Sequence, residues 1–192
     1  MKKILFNDKF GLTQAVLDGR KTQTRQILGY ENYTQRYIEK IAVSEAKYKL
    51  GEVVAVAQSY KDAGIESTRI IKQKLYDFKL FPAHAVSEIQ YTAGWKNKMF
   101  VRADLMPHRI RITNVRVERL NDISRDDCLA EGIGSWECQS KRYYGFYDYT
   151  KDCMRRFDSP REAYAALIDR ISGRGTWESN PYVFVYDFEL VK

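Results

Sequence analysis

With 192 residues, of which 44% are hydrophobic and 30% charged, the chain is long enough for one domain with its own core and some insertions. Its 32 lysines and arginines exceed its 25 acids by 32 − 25 = 7 charges, a balance that favours a polyanionic partner without requiring one. No run approaches the ~20 apolar residues of a membrane span, and the apolar run near the N-terminus is too short for a signal peptide, so we expect a cytoplasmic protein that does not bind membranes.

The first predicted elements are a strand over residues 3–6 and a helix of two to three turns. Apolar residues recur at helical spacing at Leu12, Ala15 and Val16. Asp8 is the candidate N-cap of this helix, and Gly19 is its expected stop. The segment GRKTQTR, residues 19–25, therefore follows the helix end.

The middle of the chain contains one clear strand between two irregular stretches. Residues 30–50 are polar and rich in tyrosine, without a period, and we interpret them as an insertion. Residues 53–57 are small and apolar, which predicts a strand buried on both faces. Residues 61–98 are ambiguous, with one helix expected around 70–80.

The segment RIRITNVRVERL, residues 109–120, carries the clearest strand pattern. Ile110 and Ile112 share one parity, whereas Val115 and Val117 fall on the other. The alternation slips at residues 113–114, which predicts a bulge or tight bend there. Such bends help a sheet to curl into a barrel.

Two helices and a closing strand are predicted in the C-terminal half. Ser124, followed by acids, opens a short helix that ends at Glu131 and Gly132. Ser159 precedes a proline at the first helical position, and this helix runs to a stop at Gly173. Strict alternation over residues 182–190 then predicts the last strand.

The cysteines and histidines give no metal site. Cys128, Cys138 and Cys153 are odd in number and lack CxxC spacing, and the chain has only two histidines. We therefore expect reduced thiols, no metal and no cofactor.

Several stretches, in order along the chain, resemble ASCH domains, a branch of the PUA-like superfamily. The matching segments are Gly19-Arg20-Lys21-Thr22 with Thr24, Gly51-Glu52-Val53, residues 115–124, Glu131-Gly132-Ile133, Trp177-Glu178-Ser179-Asn180-Pro181 and the last strand. The sequence is most similar to longer, uncharacterised members found in phages and prophages. The resemblance reaches both ends of the chain but omits residues 30–50, 61–95 and 134–158, which count as insertions in a single domain over residues 1–192.

The resemblance implies an α+β fold in which a PUA-like curved β-barrel is flanked by short helices. PUA-like domains commonly bind RNA or modified bases, and a compact ASCH group hydrolyses the acyl amide of N4-acetylcytidine. Matched by motif, the catalytic set of that group corresponds to Lys21, Thr24 and Glu131. The residues expected to contact a substrate are Arg20, Thr22, Arg25, Gln58 and Trp177.

One stretch departs from the family pattern. Related phage-type proteins are expected to end the buried strand in Arg-Glu-(Thr/Ser)-aromatic, whereas this chain has Ala57-Gln58-Ser59-Tyr60. An acidic or salt-bridging role at that strand end therefore has no counterpart here. The chain is also longer than the compact amidohydrolases.

Amide hydrolysis by this set requires a neutral lysine. A threonine hydroxyl becomes a nucleophile when a base takes its proton, and Lys21 serves as that base only if burial or nearby cations lower its pKa from ~10.4 towards ~7–8. Arg20 and Arg25 are such cations in the sequence. If residues 22–25 are extended, the two threonines point one way while Gln23 and Arg25 point the other.

Purely structural interpretations stand beside these roles. GRKTQTR is also typical of a helix C-terminus with cations at the negative end of the dipole. Glu131 fits a solvent-facing helix end, and Trp177 fits the core or a pocket wall as well as a base-stacking surface. The aromatic residues of 143–149, followed by basic residues at 151, 155 and 156, suit unpaired bases or simply pin a long loop.

Three function classes remain open. The first is binding of RNA or a modified nucleoside in a basic pocket around GRKTQT, which we favour. The second is an amidohydrolase that acts on an N4-acylated cytidine. The third is a phage-type module that binds a protein partner, which only the unmatched insertions favour.

Overall fold

The computed structural model describes residues 1–28, 44–65 and 93–191. Its strands are β1 (Lys3–Ile4), β2 (Gln23–Ile27), β3 (Val53–Val56), β4 (Arg109–Arg119), β5 (Gly134–Cys138), β6 (Lys141–Asp148), β7 (Cys153–Phe157) and β8 (Tyr182–Val191). Its helices are α1 (Leu12–Leu17), α2 (Arg125–Ala130), α3 (Pro160–Ser172) and α4 (Thr176–Ser179). The α+β class is confirmed.

The strands form two sheets. One is a mixed sheet in the order β1-β3-β4-β8-β2, and the other is an antiparallel sheet in the order β5-β6-β7. In the mixed sheet β1 runs parallel to β3, and β2 runs antiparallel to β8. The last strand lies inside this sheet, as predicted. Within the described ranges the order is linear with β1 and β2 at the edges, so the sheet is open rather than a closed barrel.

The chain divides into two compact units. The first unit comprises Met1–Phe6 and Val54–Arg109, and the second comprises Asn7–Val53 and Ile110–Lys192. The described core of the first unit contains Ala55, Ala57, Tyr60, Ile65, Val101 and Met106. Buried residues of the second unit come from its helices and sheets, including Val16, Ile112, Leu120, Leu167, Val183 and Tyr186. The prediction of a single domain stays a prediction.

The caps of α2 and α3 follow from the sequence. The Ser124 hydroxyl accepts from the Asp127 amide, and the Asp127 carboxylate accepts from the Ser124 amide, so both helix-end donors are satisfied. At α3 the Ser159 hydroxyl accepts from the Glu162 amide, and Pro160 occupies the first helical position. The predicted cap of α1 is wrong: Gly11 occupies that position, because Asp8 belongs to a preceding 3-10 turn and accepts from the Thr13 hydroxyl.

Three other predictions concern irregular stretches. Residues 113–114 of β4 are both exposed, so its burial alternation breaks at the expected place although the strand continues. Residues 134–158, interpreted as an insertion with no secondary structure assigned to it, form β5, β6 and β7. Most of the 30–50 insertion and the helix expected at 70–80 lie outside the described residues.

Among the described helices, none is both long and apolar enough to cross a bilayer.

Candidate functional site

The segment after α1 is tied to two distant parts of the second unit. The Lys21 amide donates to the Ala15 carbonyl at 2.9 Å, which ends the helix. The Thr22 amide then donates to the Ala130 carbonyl at 2.9 Å, and the Thr22 carbonyl accepts from the Phe188 amide at 2.8 Å. These bonds place the start of β2 between the end of α2 and strand β8.

Gly132 allows the end of α2 to approach Lys21 closely. Its φ is +102°, and a Cβ there would lie 3.3 Å from Leu12 and 3.5 Å from the Lys21 stem. The turn brings Glu131 onto Lys21, whose Nζ donates to the Glu131 carboxylate at 2.6 Å. The same Nζ donates to the Glu131 carbonyl at 2.8 Å and to the Gln23 carbonyl at 2.7 Å.

Arg25 lies beside this pair and binds carboxylates from two directions. Its Nη1 donates to Glu131 Oε1 at 3.1 Å, so the Glu131 carboxylate bridges Lys21 and Arg25. Its Nη2 lies 2.6 Å from Glu118 Oε1 and 3.4 Å from Asp127 Oδ2. The side chains of Lys21, Arg25 and Glu131 are 2%, 1% and 6% exposed, and we call these three the buried cluster.

A more accessible ring of charges surrounds the buried cluster. We call it the rim, and it consists of Arg116, Glu118, Asp127 and Asp187, with side chains 18–33% exposed. Arg116 Nη1 donates to Asp187 at 2.7 Å, and its Nε donates to Glu118 at 3.1 Å. Gln23 joins rim and cluster, because its Nε2 donates to Asp187 at 2.6 Å and to Asp127 at 2.9 Å, while its Oε1 accepts from Arg25.

The charges of this network nearly cancel. It contains three cations, Lys21, Arg25 and Arg116, and four carboxylates, Glu118, Asp127, Glu131 and Asp187. The residues of GRKTQTR were expected to border a basic pocket, whereas their two buried cations lie in a mixed-charge network. Arg20 is exposed and pairs with Asp18 at 2.9 Å.

Burial and charge pairing act in opposite directions on the two buried cations. Burial lowers the pKa of Lys21 below its ordinary value, and the Glu131 carboxylate opposes that shift. Burial also works against the charge of Arg25, but Glu131 and Glu118 outweigh it and raise the pKa of the guanidinium. Because Lys21 Nζ donates to three acceptors, its surroundings accommodate the ammonium form.

Aromatic side chains line the other side of Arg25. Its Cζ lies 6.0 Å from the centre of the Tyr164 ring, and burial raises the pKa of Tyr164 well above its ordinary value. Trp177 packs edge-on against Tyr164 at 6.2 Å, and the Arg161 guanidinium lies 5.1 Å from the Trp177 ring. Trp177 is therefore half-buried behind Tyr164, one layer from the buried cluster.

The structure brings Lys21 and Glu131 together but separates Thr24 from them. Strand β2 is extended, so Gln23 and Arg25 point towards the network while Thr24 points to the opposite face. Thr24 lies opposite Tyr186 of β8, on the face where Tyr48 packs against Tyr186. The expected convergence of all three catalytic candidates is thus found for two of them.

The remaining predicted contacts are dispersed. Thr22 is held by its backbone, and its side chain is exposed. Gln58 lies in the first unit and is buried, and its Oε1 has no hydrogen-bond partner among the residues that the structure describes. The backbone amide of Gln58 lies 3.4 Å from Met106 Sδ.

Sequence reasoning missed the rim and Gln23. The alternation of β4 places Arg116 and Glu118 on one face, and this pattern was visible in RVERL as an i, i+2 pair of opposite charges. In β8, Asp187 lies between the aromatic residues Tyr186 and Phe188, which is the pattern of a polar residue with a buried partner. Within the described ranges no group of three His, Cys, Asp or Glu residues could hold a metal ion.

Comparisons with known proteins add little. No family model matches the chain, and no curated protein matches it. A crystal structure of an Enterococcus faecalis V583 protein, described by the family DUF984, is similar at 16% identity with a TM-score of 0.40, covering 100% of this chain and 77% of the other. At this level of similarity it supports no inference about function.

Proposed function

We propose that the chain is an ASCH-type, PUA-like protein that binds RNA or a modified nucleoside at the rim, above the buried cluster. The observation that carries the proposal is Arg116, a guanidinium one-third exposed beside three carboxylates. Its hydrogen bonds within the described residues use two of its five N–H donors. The rim thus offers fixed donors and acceptors to a ligand.

The charge of the rim favours contact with a base rather than a phosphate. Three carboxylates around one arginine repel a phosphate, whereas they accept hydrogen bonds from exocyclic amino groups such as N4 of cytosine. Arg116 donates to ring nitrogens or carbonyl oxygens. A base read by such charged groups is bound with affinity that depends weakly on salt.

Calorimetric titration with cytidine, N4-acetylcytidine and uridine tests this proposal. We expect Arg116→Gln to weaken binding by about tenfold or more, because a hydrogen bond to a charged group contributes roughly 1.5–3 kcal/mol. Arg111→Gln is the matched control, since Arg111 lies on the same strand in an exposed pair with Glu189. Absence of nucleoside binding by the unaltered protein, or equal affinities of the two variants, refutes the proposal.

One observation favours the amidohydrolase as a second candidate: Lys21 Nζ and the Glu131 carboxylate, 110 residues apart, lie 2.6 Å from each other. In this mechanism the Lys21 ammonium first passes its proton to the Glu131 carboxylate across their hydrogen bond. Neutral Lys21 then takes a proton from the attacking oxygen, and Glu131 delivers its proton to the departing amine. Thr24 faces away from both, so a water molecule is the more suitable attacking oxygen.

Hydrolysis of N4-acetylcytidine, followed by chromatography, tests the second candidate. We expect Lys21→Met to abolish turnover and Thr24→Val to preserve it, because only Lys21 belongs to the buried cluster. Circular dichroism verifies the fold of each variant. If the unaltered protein shows no turnover, or if turnover survives Lys21→Met, the amidohydrolase mechanism is refuted and only the binding function remains.

A further inference from the structure

The antiparallel sheet of β5, β6 and β7 has one face that packs inward and one that is accessible. Tyr144, Phe146 and Asp148 of β6 are buried on the inner face, where Phe146 contacts Phe10 edge-on at 5.6 Å. Strand alternation and register assign the opposite side chains to the outer face. The outer face comprises Gly134, Trp136, Cys138, Lys141, Tyr143, Gly145, Tyr147, Met154 and Arg156.

Trp136 and Tyr143 form the centre of the outer face. Their rings are inclined by 29° with centres 6.5 Å apart, so they lie nearly parallel and side by side. Trp136 also leans across Gly145, since a Cβ at that glycine would lie 3.3 Å from the Trp136 ring. Both aromatic residues are half-buried, so part of each remains accessible.

Cations accompany these rings. Arg156 Cζ lies 4.9 Å from the centre of the Tyr143 ring, and Lys141 Nζ lies 5.2 Å from it. Lys141 pairs with Asp158 just beyond β7, whereas no carboxylate among the described residues forms an ion pair with Arg156. The outer-face residues of the three strands include no aspartate or glutamate.

A second pair of rings lies at the end of β6, where Tyr147 belongs to the strand and Tyr149 follows it. Tyr147 and Tyr149 have ring centres 4.7 Å apart, and Tyr149 is 62% exposed. Tyr147 lies four positions after Tyr143, which corresponds to about 13 Å along a strand. Aromatic rings at intervals along a sheet, with cations beside them, are the arrangement by which sheets stack successive unpaired bases.

We propose that the outer face binds single-stranded nucleic acid, with a base stacked on Trp136 and the backbone phosphates contacting Arg156 and Lys141. Accessible π-faces account for the bases, and positive charge without strand carboxylates accounts for the phosphates. A double helix does not expose its bases to such a surface. The site is separate from the network around Arg25, so it stands whether or not the rim binds a nucleoside.

The test uses the full chain and a fluorescein-labelled short oligo(U), followed by anisotropy over a range of salt concentrations. We expect Trp136→Ala to weaken binding by about tenfold or more, because stacking on an aromatic residue is worth roughly 1–3 kcal/mol per base. Trp136→Phe keeps a ring and should restore most of the affinity. Arg156→Gln should flatten the plot of log affinity against log salt by roughly 0.7.

Two controls separate this site from other surfaces. Arg142→Gln removes a cation from β6 on the face opposite to Tyr143, where Arg142 pairs with Glu137. This variant should leave the oligo(U) affinity unchanged. Arg111→Gln, which removes an exposed cation of β4 that pairs with Glu189, should also leave oligo(U) affinity unchanged. If Arg116→Gln abolishes oligo(U) binding while Trp136→Ala does not, the outer face is not the site.

A readout in the unaltered protein guards against loss of fold in the variants. Oligo(U) should quench tryptophan fluorescence, and Trp136→Phe should remove that quenching. The proposal is overturned if the protein does not bind oligo(U). It is also overturned if an RNA duplex binds as tightly as oligo(U), or if dextran sulfate competes as well as unlabelled oligo(U). It is also overturned if sedimentation shows a dimer that Trp136→Ala dissociates, because the face would then bind a second copy.

Discussion

The network around Arg25 and the outer face of the β5–β7 sheet hold cations in opposite ways. In the network, Lys21 and Arg25 are buried against carboxylates that come from segments far apart in the chain. On the outer face, Arg156 rests on an aromatic ring that belongs to the neighbouring strand. Buried cations therefore depend on the whole second unit, while the surface cation depends on one hairpin.

This difference separates stability from binding. Two charges taken out of water require compensation by good geometry, and the loss of one partner leaves the other uncompensated. A cation on an exposed ring contributes little to stability, about 0.5–1 kcal/mol, and remains available to a ligand. We therefore expect substitutions in the buried cluster to act on folding, and substitutions on the outer face to act on binding.

The largest effect is expected for Arg25→Met. Removal of this guanidinium leaves Glu118 and Glu131 without the cation that they share, and the Glu131 side chain is almost fully buried. We expect a loss of about 3–5 kcal/mol in the free energy of unfolding, measured by urea denaturation. Arg111→Met is the control, because its pair with Glu189 is exposed and 3.7 Å long, and it should cost less than about 1 kcal/mol.

If Arg25→Met and Arg111→Met lose the same free energy of unfolding, the buried cluster is not the part of the molecule on which stability depends. Equal losses would mean that the buried charges contribute no more than surface pairs. A larger loss for Arg156→Gln than for Arg25→Met would reverse the assignment of stability and binding between the two regions.

An intermediate effect is expected for Gly145→Ala, which tests the sheet behind the outer face. A Cβ at this position would lie 1.8 Å from the Arg155 carbonyl oxygen, so the backbone of β6 or β7 must shift. Overpacking of this kind costs about 1–3 kcal/mol. Gly134→Ala is the matched control, because its Cβ would meet only ordinary contact at 3.5 Å. Gly145→Ala should weaken oligo(U) binding while nucleoside binding at the rim persists. An unchanged free energy of unfolding in urea would contradict the close approach of Gly145 to the Arg155 carbonyl oxygen.

Local patterns explain which elements could be predicted from the sequence. Ser124 and Ser159 cap helices with groups a few residues away, and the strict alternation after Pro181 defines β8, so each is determined within one short segment. The strands β5 to β7 were missed because their residues mix aromatic, basic and glycine positions without a dominant period. Gly145 and the tight turns fit a sheet only when the partner strands are known.

In the candidate site too, features that depend on a local pattern or a motif could be predicted, whereas features that depend on the tertiary fold could not. The Lys21–Glu131 pair was predicted from the ASCH resemblance, because a motif carries long-range information that spacing lacks. The position of Thr24 follows from strand alternation alone, once β2 is known to begin at Gln23. The rim could not be derived, since it joins α2, β4 and β8 through the tertiary fold.

The smallest effect concerns the pH dependence of Asp127, which belongs both to the rim and to the cap of α2. Burial alone would raise the pKa of this carboxyl group, but hydrogen bonds from Gln23 and Ser124 and the charge of Arg25 outweigh it, so the pKa lies below its ordinary value of about 3.9. Folding therefore favours the ionised form, and this stabilisation is present above the unfolded pKa and lost as the pH falls through the folded one.

Asp127→Asn removes that contribution, and we expect it to lower the free energy of unfolding by about 1 kcal/mol near neutral pH. The difference between the two proteins should shrink as the pH falls below about 4, because the carboxyl group of the unaltered protein is then protonated as well. Urea denaturation at a series of pH values measures this directly. Asp126→Asn changes the exposed neighbour in the same helical turn and should cost less at neutral pH. A difference that grows towards low pH would show that Asp127 is not held as a carboxylate by the rim.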